Sequence, residues 1–229
     1  DKLPNSLEGI KPILIYPLFG ILFIGAFMCL VNPVMSLINT GLTSFLNSLG
    51  SSSRVILGTV LGAMMSIDMG GPFNKAAYVS GTGAIATAAA AGAASNDIAY
   101  MMMAAVMVGG MVPPIAIALA TTFFKKKFTE NERKSGIVNY IMGLCFITEG
   151  AIPFAVSDPI RVIPSCAIGA GVAGALSMLF GCTLPAPHGG LFVIGIIENA
   201  PMFLVALVIG AVITMAGIVL LKKPLNTEK

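Results

Sequence analysis

The chain of 229 residues is 56% hydrophobic and only 10% charged, and its mean hydropathy is +0.93. Soluble domains carry about 25% charged residues, so this composition excludes a soluble globular protein and predicts an all-α, polytopic membrane protein. The length allows about six to eight segments of roughly 20 residues each. The net charge of +3 is too small and too clustered to indicate binding of nucleic acid.

The cysteines do not form a metal-binding pattern. No two of them have the Cys-x-x-Cys spacing, and the sequence contains a single histidine. We therefore expect no metal ion and no other cofactor, and we interpret the thiols as small apolar packing groups. They are Cys29, Cys145, Cys166 and Cys182.

The first membrane segment is predicted at Ile13–Val31. Asn32-Pro33 is expected to end it, because proline cannot donate the next helical hydrogen bond. In the stretch that follows, residues 34–49, apolar side chains recur at helical spacing, and serine, threonine and asparagine occupy the opposite side. This pattern indicates an amphipathic helix that lies in the membrane interface or covers a polar interior.

Three more helices are predicted before the first charged loop. Val55–Met69 is apolar, but about 15 residues are too few to cross a bilayer comfortably. Its Gly58-x-x-x-Gly62 spacing favours close packing against another helix. A helix of small residues is predicted at Ala76–Ala94, and Ile98–Phe124 is long enough for a full span.

The distribution of lysines predicts the orientation in the membrane. Lys125–Lys134 is the one charge-dense loop, and the positive-inside rule places it, and the C-terminus after Lys222, in the cytoplasm. An even number of crossings must then separate the two. Since three apolar blocks lie between them, at least one block must be re-entrant or broken. They are residues 135–148, which is short and the best candidate, 165–182 and 191–221.

A few ionisable residues interrupt the apolar sequence, each near glycine or proline. A charged side chain at the bilayer centre costs about 2.5–3.5 kcal/mol, so these groups are expected to line one hydrated cavity rather than to face lipid. Neighbouring Gly and Pro allow broken helices and re-entrant hairpins that turn free backbone groups toward that cavity. This predicts a transporter of a polar substrate. The residues are Asp68, Lys75, Glu149, Asp158, Arg161, His188 and Glu198.

Glu149 and His188 are the main candidates for chemistry. The Glu149 carboxylate can accept hydrogen bonds from two sugar hydroxyls and can also accept a proton. The alternative is a structural partner for Arg161 or a contact at a helix end. His188 can donate to a sugar or phosphate oxygen or transfer a proton, and its alternative is a structural histidine in a Pro/Gly loop.

The other polar candidates also have two readings each. Asn74 and Lys75 offer an amide and a cation for a hydroxyl or a phosphate, unless Lys75 pairs with Asp68. Asp158 and Arg161 are three residues apart, which permits either a local ion pair or contact with substrate. Glu198-Asn199, before Pro201, is interpreted as a helix boundary.

Four segments together resemble the enzyme IIC membrane component of the fructose-specific, phosphoenolpyruvate-dependent sugar phosphotransferase system. They occur in that family's order over most of the chain. The segments are Asp68–Tyr78 (DMGGPFNKAAY), Ile147–Ala155 (ITEGAIPFA), Asp158–Ser165 (DPIRVIPS) and Pro187–Gly190 (PHGG).

The resemblance implies group translocation. Such a component, here residues 1–229 as one transmembrane domain in the bacterial inner membrane, binds a hexose, carries it inward and presents it for phosphorylation. The donor is the phosphocysteine of a IIB domain, supplied by IIA and a phosphocarrier protein, and the product is fructose 1-phosphate. The resemblance also implies a homodimer, a sugar-binding carboxylate at Glu149 and a nearby histidine at His188. The family's opening membrane segments are absent from this sequence, which implies a partial chain or a split gene.

The residues alone leave other functions open. An ion-coupled secondary transporter would use the same carboxylates to carry protons without phosphorylating the sugar. A sensor or assembly subunit would not transport. The sequence leads to the hypothesis that Glu149 and His188 hold the sugar in a cavity formed by broken helices, with Asn74, Lys75 and Asp68 beside it.

Overall fold

A computed structural model describes residues 11–49 and 53–224, and nearly all of these residues are helical. Within them no strand forms apart from one antiparallel bridge between Thr183 and Glu198, so the predicted all-α class is confirmed. The helices are α1 Tyr16–Leu49, α2 Arg54–Ile67, α3 Pro72–Ala90, α4 Ile98–Phe123, α5 Glu130–Leu144, α6 Ile152–Ser157, α7 Pro159–Leu179 and α8 Ala200–Leu221. A π-helix at Lys11–Ile15 and 3₁₀ turns at Lys125–Lys127, Thr148–Ala151 and Gly190–Ile196 complete the list.

Four stretches among these helices are long and apolar enough to cross a membrane. They are Tyr16–Val34 within α1, and the whole of α4, α7 and α8. Helix α2 is apolar but has only 14 residues, as its sequence predicted. The chain is therefore a multi-pass membrane protein with additional shorter helices.

The N-terminal unit comprises residues 1–41. The prediction that Asn32-Pro33 ends the first helix was wrong, because α1 continues through Pro33 to Leu49. Proline removes one backbone hydrogen bond, and a long membrane helix tolerates that loss when the rest of its ladder is intact. The amphipathic pattern predicted for residues 34–49 stays a prediction, since most of its side chains lie outside the described residues.

The second unit, residues 42–229, is organised around α4. This helix is buried along almost its whole length, and α2, α3, α5, α7 and α8 pack on it. Helices α2 and α7 approach through glycines: a Cβ on Gly62 would lie 2.2 Å from the Ala170 carbonyl oxygen, and one on Gly58 would lie 2.4 Å from that of Gly174. The small-residue spacing thus serves close packing, as expected.

Helix α3 begins four residues earlier than predicted, at Pro72 instead of Ala76. The Asp68 carboxylate accepts the backbone N–H groups of Phe73 at 2.7 Å and Asn74 at 3.0 Å, and proline is favoured in a first helical turn. As a consequence, Asn74 and Lys75 lie in the first turn of α3 and not in a loop.

The stretch from Glu149 to Pro164, which contains several glycine and proline residues, is also largely helical. It contains a 3₁₀ turn, α6 and the start of α7, separated at Asp158. Pro153 and Pro159 occupy first-turn positions of α6 and α7, where a missing N–H is not needed, whereas Pro164 lies inside α7. At Asn199 the backbone is left-handed (φ 59°) just before α8, so the predicted helix boundary there is confirmed.

The basic loop and the end of α8 lie at the same end of this unit. Lys222 forms an ion pair with Glu132 at 2.9 Å and lies 4.7 Å above the ring of Phe128. Lys127 donates to the carbonyl oxygens of Val219 and Lys222. Two span-length helices, α7 and α8, separate the loop from the C-terminal end, which agrees with an even number of crossings. That this end is cytoplasmic stays a prediction.

Replacing Glu132 by glutamine is expected to destabilise the protein at neutral pH. Partial burial by itself raises the pKa of the Glu132 carboxyl, but hydrogen bonds from the Thr129 backbone N–H and from Lys222 outweigh it, so this pKa lies below its usual range. A group with a depressed pKa stabilises the fold above its unfolded pKa, and that contribution is lost as the pH falls through the folded value.

We therefore expect Glu132→Gln to lower the melting temperature at pH 7, with a cost of about 1 kcal/mol for the lost cap and ion pair. The difference from the parent should shrink below about pH 4.5. Thermal unfolding in detergent measures both. Glu130→Gln is the matched control, because the pair that Glu130 forms with Lys134 is exposed to solvent. An equal loss in both variants would contradict the assignment.

Candidate functional site

A cavity of about 210 Å³ in the second unit brings together the ends of several helices. Its volume is below the roughly 300–1,000 Å³ of pockets for drug-sized ligands, so it is suited to a small molecule. The lining residues are Met65, Asn74, Lys75, Tyr78, Phe146, Ile147, Thr148, Glu149 and His188.

The cavity lies beside the middle of α4. The Thr148 hydroxyl donates to the Gly110 carbonyl oxygen at 2.9 Å, and the Ser66 hydroxyl donates to that of Gly109 at 3.3 Å. Gly109 and Gly110 are central in a helix of 26 residues, which at 1.5 Å per residue is about 39 Å long. If α4 spans a hydrocarbon layer of about 30 Å, the cavity is near its midplane.

Interrupted helices form the walls. Helix α2 ends at Ile67 and α5 ends at Leu144, both at this depth, and α3 begins here. The buried Asn74 side chain donates to the Met65 carbonyl oxygen near the end of α2, at 2.7 Å. This bond satisfies a carbonyl in the last turn of a helix and leaves the Asn74 Oδ1 able to accept a hydrogen bond.

Phe146 holds one side of the cavity in position. Its backbone is left-handed (φ 63°), which is rare for a bulky residue, and its side chain is 6% exposed. The ring lies 5.1 Å from the His188 ring and 6.3 Å from the Tyr78 ring, between centroids. A Cβ on Gly110 would lie 2.4 Å from Phe146 Cε2, and one on Gly190 would lie 2.8 Å from the Phe146 nitrogen. Two glycines therefore make the space that Phe146 occupies.

Three ionisable side chains line the cavity. Glu149, Lys75 and His188 are exposed in it, and within residues 11–49 and 53–224 none of them forms a hydrogen bond or an ion pair. Gly70 has φ 122°, and a Cβ there would lie 3.1 Å from Glu149 Oε1. The Asp68–Gly71 turn thus leaves room for the Glu149 carboxylate. A carboxylate, an ammonium group and an imidazole are available to a ligand.

The remaining predicted site residues lie elsewhere. The Asp68 carboxylate accepts backbone N–H groups in the first turn of α3, and it forms no pair with Lys75 in the described part of the chain. Asp158 and Arg161 form the local ion pair that their spacing permits, at 2.9 Å. Because none of these three lines the cavity, this geometry gives no support to their predicted contact with substrate.

Sequence reasoning did not single out Phe146, Tyr78, Thr148 or Met65. Tyr78 and Thr148 belong to the motif segments, but an aromatic or a threonine in an apolar stretch resembles a packing residue. Phe146 has no sequence signal at all, since only its left-handed backbone and its two glycine neighbours distinguish it from other phenylalanines.

A larger cavity, of about 610 Å³, lies between α3 and the start of α4. It is lined mostly by alanine, glycine and other small residues. Its one ionisable residue, Asp97, already accepts the Ala99 N–H at 2.8 Å. The smaller cavity is therefore the one whose ionisable side chains are available to bind a ligand.

Comparison with known proteins decides the family. The family described as "Phosphotransferase system, EIIC" matches residues 1–169. The chain belongs to this family. The predicted family resemblance is thereby confirmed, and the match includes the first three of the four motif segments.

This EIIC chain is 51% identical over 229 residues to the PTS system fructose-specific EIIABC component of Bacillus subtilis, covering 99% of the chain and 34% of that relative. It is 50% identical to the fructose permease IIC component of Bacillus amyloliquefaciens, covering 99% and 71%. With the PTS system fructose-specific EIIB'BC component of Escherichia coli the identity is 44%, covering 97% and 38%. The chain thus spans about a third of the first relative. No solved structure matches it.

Proposed function

We propose that this EIIC chain binds a hexose, fructose by preference, carries it across the bacterial cytoplasmic membrane and presents it for phosphorylation. One observation supports this above all: Glu149, Lys75 and His188 surround a single cavity at the middle of α4 and form no hydrogen bond or ion pair with any described residue. The relatives named above are fructose-specific components and a fructose permease.

Each polar group of the cavity has its own role in binding the sugar. The Glu149 carboxylate accepts hydrogen bonds from two sugar hydroxyls, and the free Oδ1 of Asn74 accepts another. His188, oriented by the Phe146 ring, donates to a sugar oxygen. The Phe146 and Tyr78 rings bound the apolar side of the cavity.

Phosphoryl transfer requires a partner, because this chain has no phosphate-binding loop of its own. The sugar hydroxyl oxygen attacks the phosphorus of a phosphocysteine on a IIB domain. A P–O bond forms, the P–S bond breaks, and the cysteine leaves as a thiolate. Glu149 accepts the hydroxyl proton, and Lys75 offsets the charge of the incoming phosphoryl group. Positioning supplies most of the rate.

The topology follows from this chemistry. The Lys125–Lys134 loop and the end of α8 are on the cytoplasmic side, where IIB, IIA and the phosphocarrier protein act. Assembly as a homodimer remains the prediction of the family resemblance.

Vesicles containing the purified chain test the proposal. We expect labelled fructose to enter only with phosphorylated IIB present and to be recovered as fructose 1-phosphate. Uptake of unmodified sugar that depends on a proton gradient would instead identify an ion-coupled transporter. A chain that binds no hexose by calorimetry under these conditions would identify a sensor or assembly subunit.

A further inference from the structure

A second polar cavity, of about 350 Å³, lies at the end of the unit that carries the basic loop. It is formed where α4 ends and α5 begins, with Thr121 in its wall. Thr121 is 11 residues beyond Gly110, which corresponds to roughly 16 Å along the helix. The cavity is therefore separate from the candidate sugar site. Its lining residues are Thr121, Thr122, Lys125, Glu130, Arg133, Lys134 and Ile137.

The basic residues around this cavity differ in whether they are already paired. Lys127 donates to two backbone carbonyl groups at the end of α8, and Lys134 pairs with Glu130 at 2.7 Å. Lys125 and Arg133 have no hydrogen-bonded side-chain partner in the described part of the chain. The Arg133 Nε is moreover buried without an acceptor. A buried, unsatisfied N–H costs free energy, so an anion that accepts from it would be favoured.

The cavity continues into an apolar surface. Ile137 lines it and is 62% exposed, and Ile141, one turn further along α5, is 68% exposed. Residues four apart lie on the same face of a helix. The surface therefore combines a cationic pocket at the membrane edge with an adjoining apolar strip, which matches a phosphate group joined to acyl chains.

We propose that this cavity binds the headgroup of an anionic phospholipid. The Arg133 guanidinium and the Lys125 ammonium group bind the phosphodiester oxygens, and the acyl chains lie along Ile137 and Ile141. Guanidinium groups bind phosphate oxygens in a bidentate manner, and basic pockets at the cytoplasmic ends of membrane helices recognise such headgroups. The Thr122 hydroxyl accepts from the Tyr140 hydroxyl at 3.1 Å, so its own proton is available to the ligand. The site does not depend on the proposed transport function.

Because the chain contains no tryptophan, a single introduced tryptophan can report lipid binding at this site through its fluorescence. Ile141→Trp is placed on the apolar strip, and the purified full chain is titrated with lipids brominated on their acyl chains. We expect brominated phosphatidylglycerol to quench the fluorescence at a mole fraction several-fold lower than brominated phosphatidylcholine does. Adding Lys125→Gln or Arg133→Gln should reduce that preference about fivefold each.

Lys126→Gln is the matched control, because it removes the same charge from the same loop without lining the cavity. It should keep the preference for phosphatidylglycerol. Equal quenching by the two lipids, or an equal loss in Lys126→Gln and Lys125→Gln, would overturn the proposal. Loss of the preference in millimolar inorganic phosphate would show a free-anion site instead. If Arg133→Gln does not fold, the same measurement is made on Lys125→Gln, because Lys125 is exposed.

Discussion

Replacing Glu149 by glutamine should lower sugar phosphorylation by about two to four orders of magnitude, the range that general acid–base groups contribute. Glutamine preserves the size of the side chain but cannot accept the hydroxyl proton. It also exchanges one acceptor oxygen for an amide that donates. Since no described residue pairs with Glu149, the substitution should leave folding intact. The measurement is phosphorylation of labelled fructose by the complete system supplied with phosphorylated IIB.

Glu198→Gln is the matched control for this experiment. Glu198 is also an exposed carboxylate between membrane helices, but it contacts Thr183 at 3.2 Å and lines a different cavity. We expect near-normal phosphorylation from this variant. Undiminished activity in Glu149→Gln would remove Glu149 from the mechanism. Calorimetric sugar binding separates the two roles, because loss of turnover with retained affinity indicates the proton-accepting role.

Gly110→Ala is expected to disrupt the candidate sugar site while leaving the rest of the helical unit assembled. The added methyl group would lie 2.4 Å from Phe146 Cε2 and 2.8 Å from Thr148 Oγ1. The Phe146 ring is buried and contacts both Tyr78 and His188, so it cannot move without shifting the walls of the cavity. Overpacking of this kind costs about 1–3 kcal/mol, and if this cost destabilises the sugar-bound state relative to the free protein, the sugar affinity falls by roughly 5- to 150-fold.

The control is Gly83→Ala, a helical glycine at which an added Cβ meets no atom within 4 Å. Alanine there should preserve or slightly improve stability, because glycine is the poorer helix former. Sugar affinity, measured by calorimetry, should fall only in Gly110→Ala. Equal affinity in the two variants would contradict the role given to Phe146 as the residue that positions His188.

The order of the membrane helices could be predicted because it depends on local composition. Residues 98–124 and 165–182 are apolar over a long enough range to indicate α4 and α7, whatever they pack against. Errors occurred where proline was interpreted as a helix end. Pro33 lies inside α1, while Pro72 and Pro159 lie in the first turns of α3 and α7. Proline is compatible with both positions, and the surrounding hydrogen bonds decide between them.

The candidate site, like the fold, could be predicted from the sequence only in part. The residue types of the motif segments already indicated that Glu149, His188, Asn74 and Lys75 would surround a substrate, and the structure places all four around one cavity. Asp158 and Arg161 carried the same kind of signal but pair with each other instead. Spacing along the chain cannot distinguish a charge that faces a cavity from one that a neighbour neutralises.

By itself, the sequence determined that this protein lies in a membrane, which segments can cross it and which polar groups need a hydrated interior, because these properties are sums over local residues. Only the tertiary structure decided that Phe146, between Gly110 and Gly190, positions the walls of the site, and that Lys125 and Arg133 pair with no side chain among the described residues. Those features depend on contacts between residues far apart in the chain, and such contacts exist only once the helices have packed.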